Sequence, residues 1–148
     1  MKLGIRFILL ASLLAAVFTA HGQSETYRAR LSPMPTTPAT VNDITGEGEV
    51  ILTLSGSTLS VSGSFAGMSS AATMAHIHMG PPAQPGPVAH RLEISSASAG
   101  DISAELELTE EQLEALRANS LYVQVHSENN APGELRGWIY PQSHFDNL

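Results

Sequence analysis

Apolar residues in this chain recur at every second position in one short segment after another, and that period limits what it can fold into. Side chains alternate across a β-strand, so each such segment buries one face and wets the other. Val50, Leu52 and Leu54 alternate with Glu49, Ile51 and Thr53 before the turn Ser55-Gly56-Ser57. Leu59, Val61 and Phe65 then alternate with serines over Thr58 to Phe65, giving a hairpin with one wet side. A third strand carries Ala75-His76-Ile77-His78-Met79-Gly80. Pro81, Pro82, Pro85, Gly86 and Pro87 forbid regular structure before a strand near Val88 to Ile94. Ile102, Ala104, Leu106 and Leu108 oppose Ser103, Glu105 and Glu107 in the next strand, whose outer face is acidic and solvated.

Thr109 followed by Gln112 is a capping-box pattern, and with Leu113 and Leu116 it predicts a short connecting helix from Glu110 to about Arg117. Leu121, Val123 and Val125 alternate with Tyr122, Gln124 and His126; a turn through Asn129, Asn130, Pro132 and Gly133 leads to Leu135, Gly137 and Ile139 alternating with Arg136 and Trp138. No segment offers the crossover helices that parallel strands require. The expected fold class is therefore all-β: an antiparallel Greek-key β-sandwich or barrel with one short connecting helix.

The ends read differently. Lys2 and Arg6 flank the start of an apolar run from Phe7 to Phe18, about a dozen residues and too short to span a membrane, so residues 1–22 are expected to be a signal peptide. Ala20 and Gly22 supply small residues for cleavage before Gln23. The expected location is periplasmic or extracellular, with no integral membrane insertion after cleavage. Residues 23–45, with Pro33, Pro35 and Pro38 among threonines and serines, read as a flexible spacer. The domain is expected over 46–140, with a frayed tail over 141–148 that includes His144.

Loss of Lys2 and Arg6 leaves five basic residues, all arginine, against fourteen acids, which moves the formal charge from −7 to −9. Nucleic acid and anionic membranes are poor partners for such a chain. No cysteine is present, so thiolate chemistry and disulfides are excluded. No Ser-His-Asp, paired-carboxylate or phosphate-loop pattern supports a hydrolase.

What remains is histidine. His76 and His78 leave the same face of their strand, and neutral imidazole is the commonest metal-ligating side chain. If Ile77, Val123, Val125, Leu135 and Ile139 face the core, then His76, His78, Gln124, His126 and Arg136 all face outward. Periodicity does not show whether they share one patch. Were the strands adjacent, His76, His78 and His126 would make a three-imidazole site suited to copper, with zinc as the alternative. His90 is a further candidate ligand, read first as a surface strand residue. Glu134 and Arg136 are expected to form a structural ion pair across the last turn.

These segments, in order, resemble a known family. Ala75-His76-Ile77-His78-Met79-Gly80, Gly86-Pro87-Val88, Leu121-Tyr122-Val123-Gln124-Val125-His126-Ser127 and Pro132-Gly133-Glu134-Leu135-Arg136-Gly137-Trp138 look like the signatures of the CHRD (chordin-type) domain over roughly Gly46 to Ile139. The resemblance implies a single exported domain without the cysteine-rich modules of the animal morphogen antagonists, so morphogen binding is not carried over. The pattern is also distantly similar to copper–zinc superoxide dismutase, which implies His76, His78 and His126 as copper ligands and Arg136 as an anion-steering group. The dismutase cysteine pair is missing, and in the Pro-rich segment only His90 is available as a counterpart to its zinc ligands.

The resulting expectation is an exported metal-binding domain, more a binder than an enzyme, whose protein partner the sequence does not name. Two alternatives stand beside it: a non-enzymatic extracellular binding or matrix module with structural histidines, and a superoxide dismutase-like copper oxidoreductase.

Overall fold

A computed structural model of the chain describes residues 24–146. The expected signal peptide at 1–22 lies outside the described residues. The strands are β1 (Glu25–Pro33), β2 (Glu47–Ser55), β3 (Thr58–Ala66), β4 (Ala72–Met79), β5 (Val88–Ile94), β6 (Gly100–Glu107), β7 (Leu121–Ser127), β8 (Leu135–Trp138) and the short β9 (Tyr140–Pro141). Helix α1 (Glu110–Arg117) connects β6 to β7.

Neighbouring strands pair antiparallel in the order β1-β2-β3-β6-β5-β4-β7-β8, and β8 returns to β1. Eight strands thus close into a barrel, with β9 added along β1. Closure removes long free strand edges, which otherwise template aggregation. It is uneven: β5 meets β6 only through Glu93↔Ser103 and Ile94↔Ile102, and β1 meets β8 only through Ser32↔Arg136 and Pro33↔Leu135.

The alternation read from the sequence decides which face is inside. Val50, Leu52, Leu54, Leu59, Val61 and Phe65 pack in one core with Ile77, Val123, Val125, Leu135 and Ile139. Burial of each such side chain contributes about 1.5–3 kcal/mol before entropy is counted. The Thr109 hydroxyl accepts from the Gln112 backbone N–H at 3.3 Å, while Gln112 Oε1 accepts from the Thr109 N–H at 3.0 Å, which satisfies two otherwise orphaned donors of α1. Leu113 and Leu116 are its buried face.

Two boundaries need correction. Glu25–Pro33 is a barrel strand and not part of a spacer: Tyr27, Ala29 and Leu31 are buried while Arg28 and Arg30 point away from the core. The proline-rich composition begins only at Pro33, at the strand end, where a missing N–H costs no interior ladder bond. After Met34, turns through Thr37 and Thr40 carry the chain to β2. The expected frayed tail is docked as far as Asp146. Tyr140 and Pro141 pair with Arg28 and Tyr27, and the His144 ring stacks on Tyr140 with centroids 4.6 Å apart. The Arg28 guanidinium lies 4.9 Å over the Phe145 ring.

Candidate metal centre

Strands β4 and β7 are direct neighbours, which is the adjacency the sequence left open. Met74 pairs with His126, His76 with Gln124 and His78 with Tyr122. Because Ala75, Ile77, Val123 and Val125 are buried, the residues of opposite parity share the outer face. His76, His78 and His126 meet there, each offering one ring nitrogen within 4.8 Å of the others. His76 Nδ1 and His126 Nε2 are 3.4 Å apart. Ligand nitrogens about 3–4 Å apart are what a metal bonded at about 2.0–2.1 Å requires, a spacing that the His76–His126 pair already meets.

This outer face is covered more than a wet strand would be. His78 is 9% exposed and His126 8%, while His76 is half-buried. The cover comes from two loops. In the first, His78 Nδ1–H donates to the Gly86 carbonyl at 2.9 Å, and the Tyr122 ring stacks on His78 at 4.9 Å. Gly86 N–H donates to the Tyr122 hydroxyl, Trp138 Nε1–H to the Gly80 carbonyl and the Met79 N–H to the Pro87 carbonyl, pinning the loop. Only glycine fits at Gly86, since a Cβ there would fall on the Met79 carbonyl oxygen. In the second loop, His126 Nδ1–H donates to the Ala131 carbonyl at 2.8 Å.

A carbonyl oxygen only accepts, so both Nδ1 atoms must carry the proton, and both Nε2 lone pairs are turned toward the cluster. His78 Nε2 is buried with no hydrogen-bond partner. An orphaned imidazole lone pair beside two more imidazoles, with the opposite nitrogens tied to backbone carbonyls, is the arrangement that orients metal-ligating histidines. Burial, followed by the charges of His126, His78 and Arg91, pushes His76 below the usual histidine range. Burial also lowers His78, against the opposing bond to Gly86. Both effects favour the neutral rings that a metal requires.

Gln124 and Arg136 frame the site. Arg136 donates through Nε at 2.9 Å and through a terminal nitrogen at 2.7 Å to Gln124 Oε1, which fixes the amide orientation. Gln124 Nε2 then donates to the Pro132 carbonyl at 2.9 Å and lies 3.4 Å from His126 Nε2. The guanidinium rests over Tyr122 and Trp138, at 5.1 and 5.8 Å from the ring centroids.

The remaining candidates go elsewhere. His90 Nε2 pairs with Gln112 Oε1 at 2.9 Å and stands outside the trio, tying β5 to the helix. Glu134 and Arg136 form no ion pair: the salt bridges among the described residues are Arg28–Glu49 and Arg117–Glu25. Glu134 is instead fully buried, with Oε1 accepting from the backbone N–H of Ser69 at 2.7 Å and of Thr45 at 3.1 Å. Burial alone would push its carboxyl up, but hydrogen bonds from Ser127, Ser69 and Thr45 outweigh it and hold it below the usual carboxylate range. Tyr122 was missed as part of the site, although it shares the parity of Gln124 and His126.

Fold and site together define a class, a closed antiparallel β-barrel bearing three converging imidazoles on its outer face beneath two short loops. The chain belongs to the CHRD domain family, whose model matches residues 27–139. That match begins inside β1 and so includes the strand missed in the sequence. No protein of curated function and no solved structure gives a significant match.

Proposed function

We propose that this CHRD domain protein is exported and binds copper through His76, His78 and His126, serving metal binding or redox handling outside the cytoplasm. The observation that carries the reading is the convergence of three imidazole nitrogens within 4.8 Å, two of them presented by backbone-anchored rings. Nitrogen donors favour Cu(II) over Zn(II) in intrinsic affinity, which ranks copper ahead of zinc. The apolar run from Phe7 to Phe18, preceded by Lys2 and Arg6, supports export.

Trp138, the single tryptophan, contacts the Tyr122 ring at 5.0 Å, and Tyr122 stacks on His78, so its fluorescence reports on the site. Titration with Cu(II) should quench Trp138 with an endpoint of one equivalent and give a nitrogen-ligated EPR signal. His78→Ala and His126→Ala should each weaken binding by more than the roughly 10–100-fold typical of lost outer partners. Unchanged binding in either variant would rule out this ligand set and favour a module whose histidines are structural.

A further inference from the structure

The register across the outer face sets four residues in one transverse row. Arg91 of β5 pairs with His76 of β4, His76 with Gln124 of β7, and Gln124 with Arg136 of β8. Directly paired residues project to the same side of the sheet, so two arginines flank the histidine cluster. Their situations differ. Arg136 spends its donors on Gln124 and its face on Tyr122 and Trp138. Arg91 is exposed and has no salt bridge or side-chain hydrogen bond among the described residues, even though Glu93 follows two positions on along the same face.

The cluster is closed on the His78 and His126 sides by the two loops and stays open at half-buried His76, the residue that faces Arg91. Three neutral imidazoles add no negative charge, so a bound cation keeps its full charge toward the opening. Both features select an anion at the remaining coordination position.

We infer that the open side of the three-histidine centre takes a small anion, and that Arg91 is the cation that holds it there. The inference rests on the metal reading above and adds the ligand class and a residue to it. Arg91 acts through space on the anion and is no ligand, so its loss leaves the metal in place. Arginine suits the role because its charge is permanent and its planar donors fit carboxylate-like oxygens.

Azide is a suitable probe because it gives a charge-transfer band on Cu(II). In the full chain loaded with copper, Arg91→Ala should retain one equivalent of metal and the Trp138 quenching curve, while the azide Kd rises about three- to tenfold. Raising salt from about 20 to about 300 mM should weaken azide binding in the wild type and change it less in Arg91→Ala, because screening acts on the term the variant lacks. Arg91→Lys should recover most of the affinity. Arg117→Ala removes one charge from α1 and should leave azide binding unchanged.

An unchanged azide Kd and salt response in copper-loaded Arg91→Ala would overturn the inference and leave the metal site standing. An equal loss in Arg117→Ala would replace it with a general field effect. Absence of copper binding in the wild type would overturn the metal reading and this one together.

Discussion

His76 Nδ1 lies 3.4 Å from His126 Nε2 although the two residues are not cross-strand partners. His76 sits opposite Gln124 and His126 opposite Met74, so the contact is diagonal across the β4–β7 ladder. Diagonal neighbours on one face are about 7–8 Å apart at the backbone, a gap that two imidazoles reaching toward each other can close. A slip of one residue would send one ring into the core. The site therefore depends on the same register that buries Ile77 and Val125.

The loop carbonyl of Gly86 aims His78, so disturbing that loop should cost metal affinity without touching a ligand. Gly86→Ala forces the backbone off Met79, and Cu(II) affinity should fall about 10–100-fold. Isothermal titration beside a chemical denaturation curve separates that loss from overpacking, expected at about 1–3 kcal/mol.

Replacing Gln124 by leucine should strand two donors of Arg136 and the Pro132 carbonyl. The expected loss of stability is about 2–3 kcal/mol by urea unfolding, set by groups left unpaired. Arg136 should also become mobile, readable as altered Trp138 emission.

Glu134→Ala leaves the Thr45 and Ser69 N–H groups without their acceptor, at about 1–3 kcal/mol each. The carboxyl is held below its ordinary value in the folded protein, so its stabilisation is complete above the unfolded pKa of about 4.3 and is lost as pH falls through the lower folded value. Below about pH 4 the wild type should lose stability more steeply than Glu134→Ala. Parallel slopes across that range would refute the assignment.

Removing residues 1–24 should leave the barrel intact, whereas removal through Thr45 deletes β1 and exposes the edges of β2 and β8. The longer truncation should show lost near-ultraviolet dichroism and aggregation at concentrations where the shorter one stays monomeric. Equal thermal stability of the two would contradict the role given to Tyr27, Ala29 and Leu31.

Copper at a hundredfold excess over its Kd should raise stability by about 2.7 kcal/mol, and a chelator should reverse it. The melting temperature then tracks free metal concentration. In His126→Ala that dependence should disappear.

Most of the barrel was legible because a half-buried antiparallel strand writes its own face into the sequence. The Leu59/Val61/Phe65 and Leu121/Val123/Val125 alternations are buried as that pattern requires. Strand β1 shows the same alternation at Tyr27, Ala29 and Leu31 but was hidden by the prolines that follow it. The three histidines could be placed on one class of face, yet their convergence is a property of β4–β7 pairing, which no local period encodes. The carbonyls of Gly86 and Ala131, which decide where the Nε2 lone pairs point, carry no side-chain signal at all. Arg91 was invisible for the same reason, since its relation to His76 exists only across strands. The expected Glu134–Arg136 pair failed because parity does not say what a side chain reaches: one is drawn to buried N–H groups and the other to an amide and two rings.

The strand made first has to wait for the strands made last. β1 pairs with β2, but it also closes the barrel against β8 and β9, more than a hundred residues downstream at Tyr27↔Pro141. Contacts of such sequence separation slow folding, because chain entropy is spent before the contact forms. Nearly the whole polypeptide must therefore be present before the ring can shut, and until then β1 offers unpaired hydrogen-bonding groups to any neighbouring chain. Shutting the ring is what removes that exposed edge, so the half-life of the open form is the quantity that aggregation would exploit.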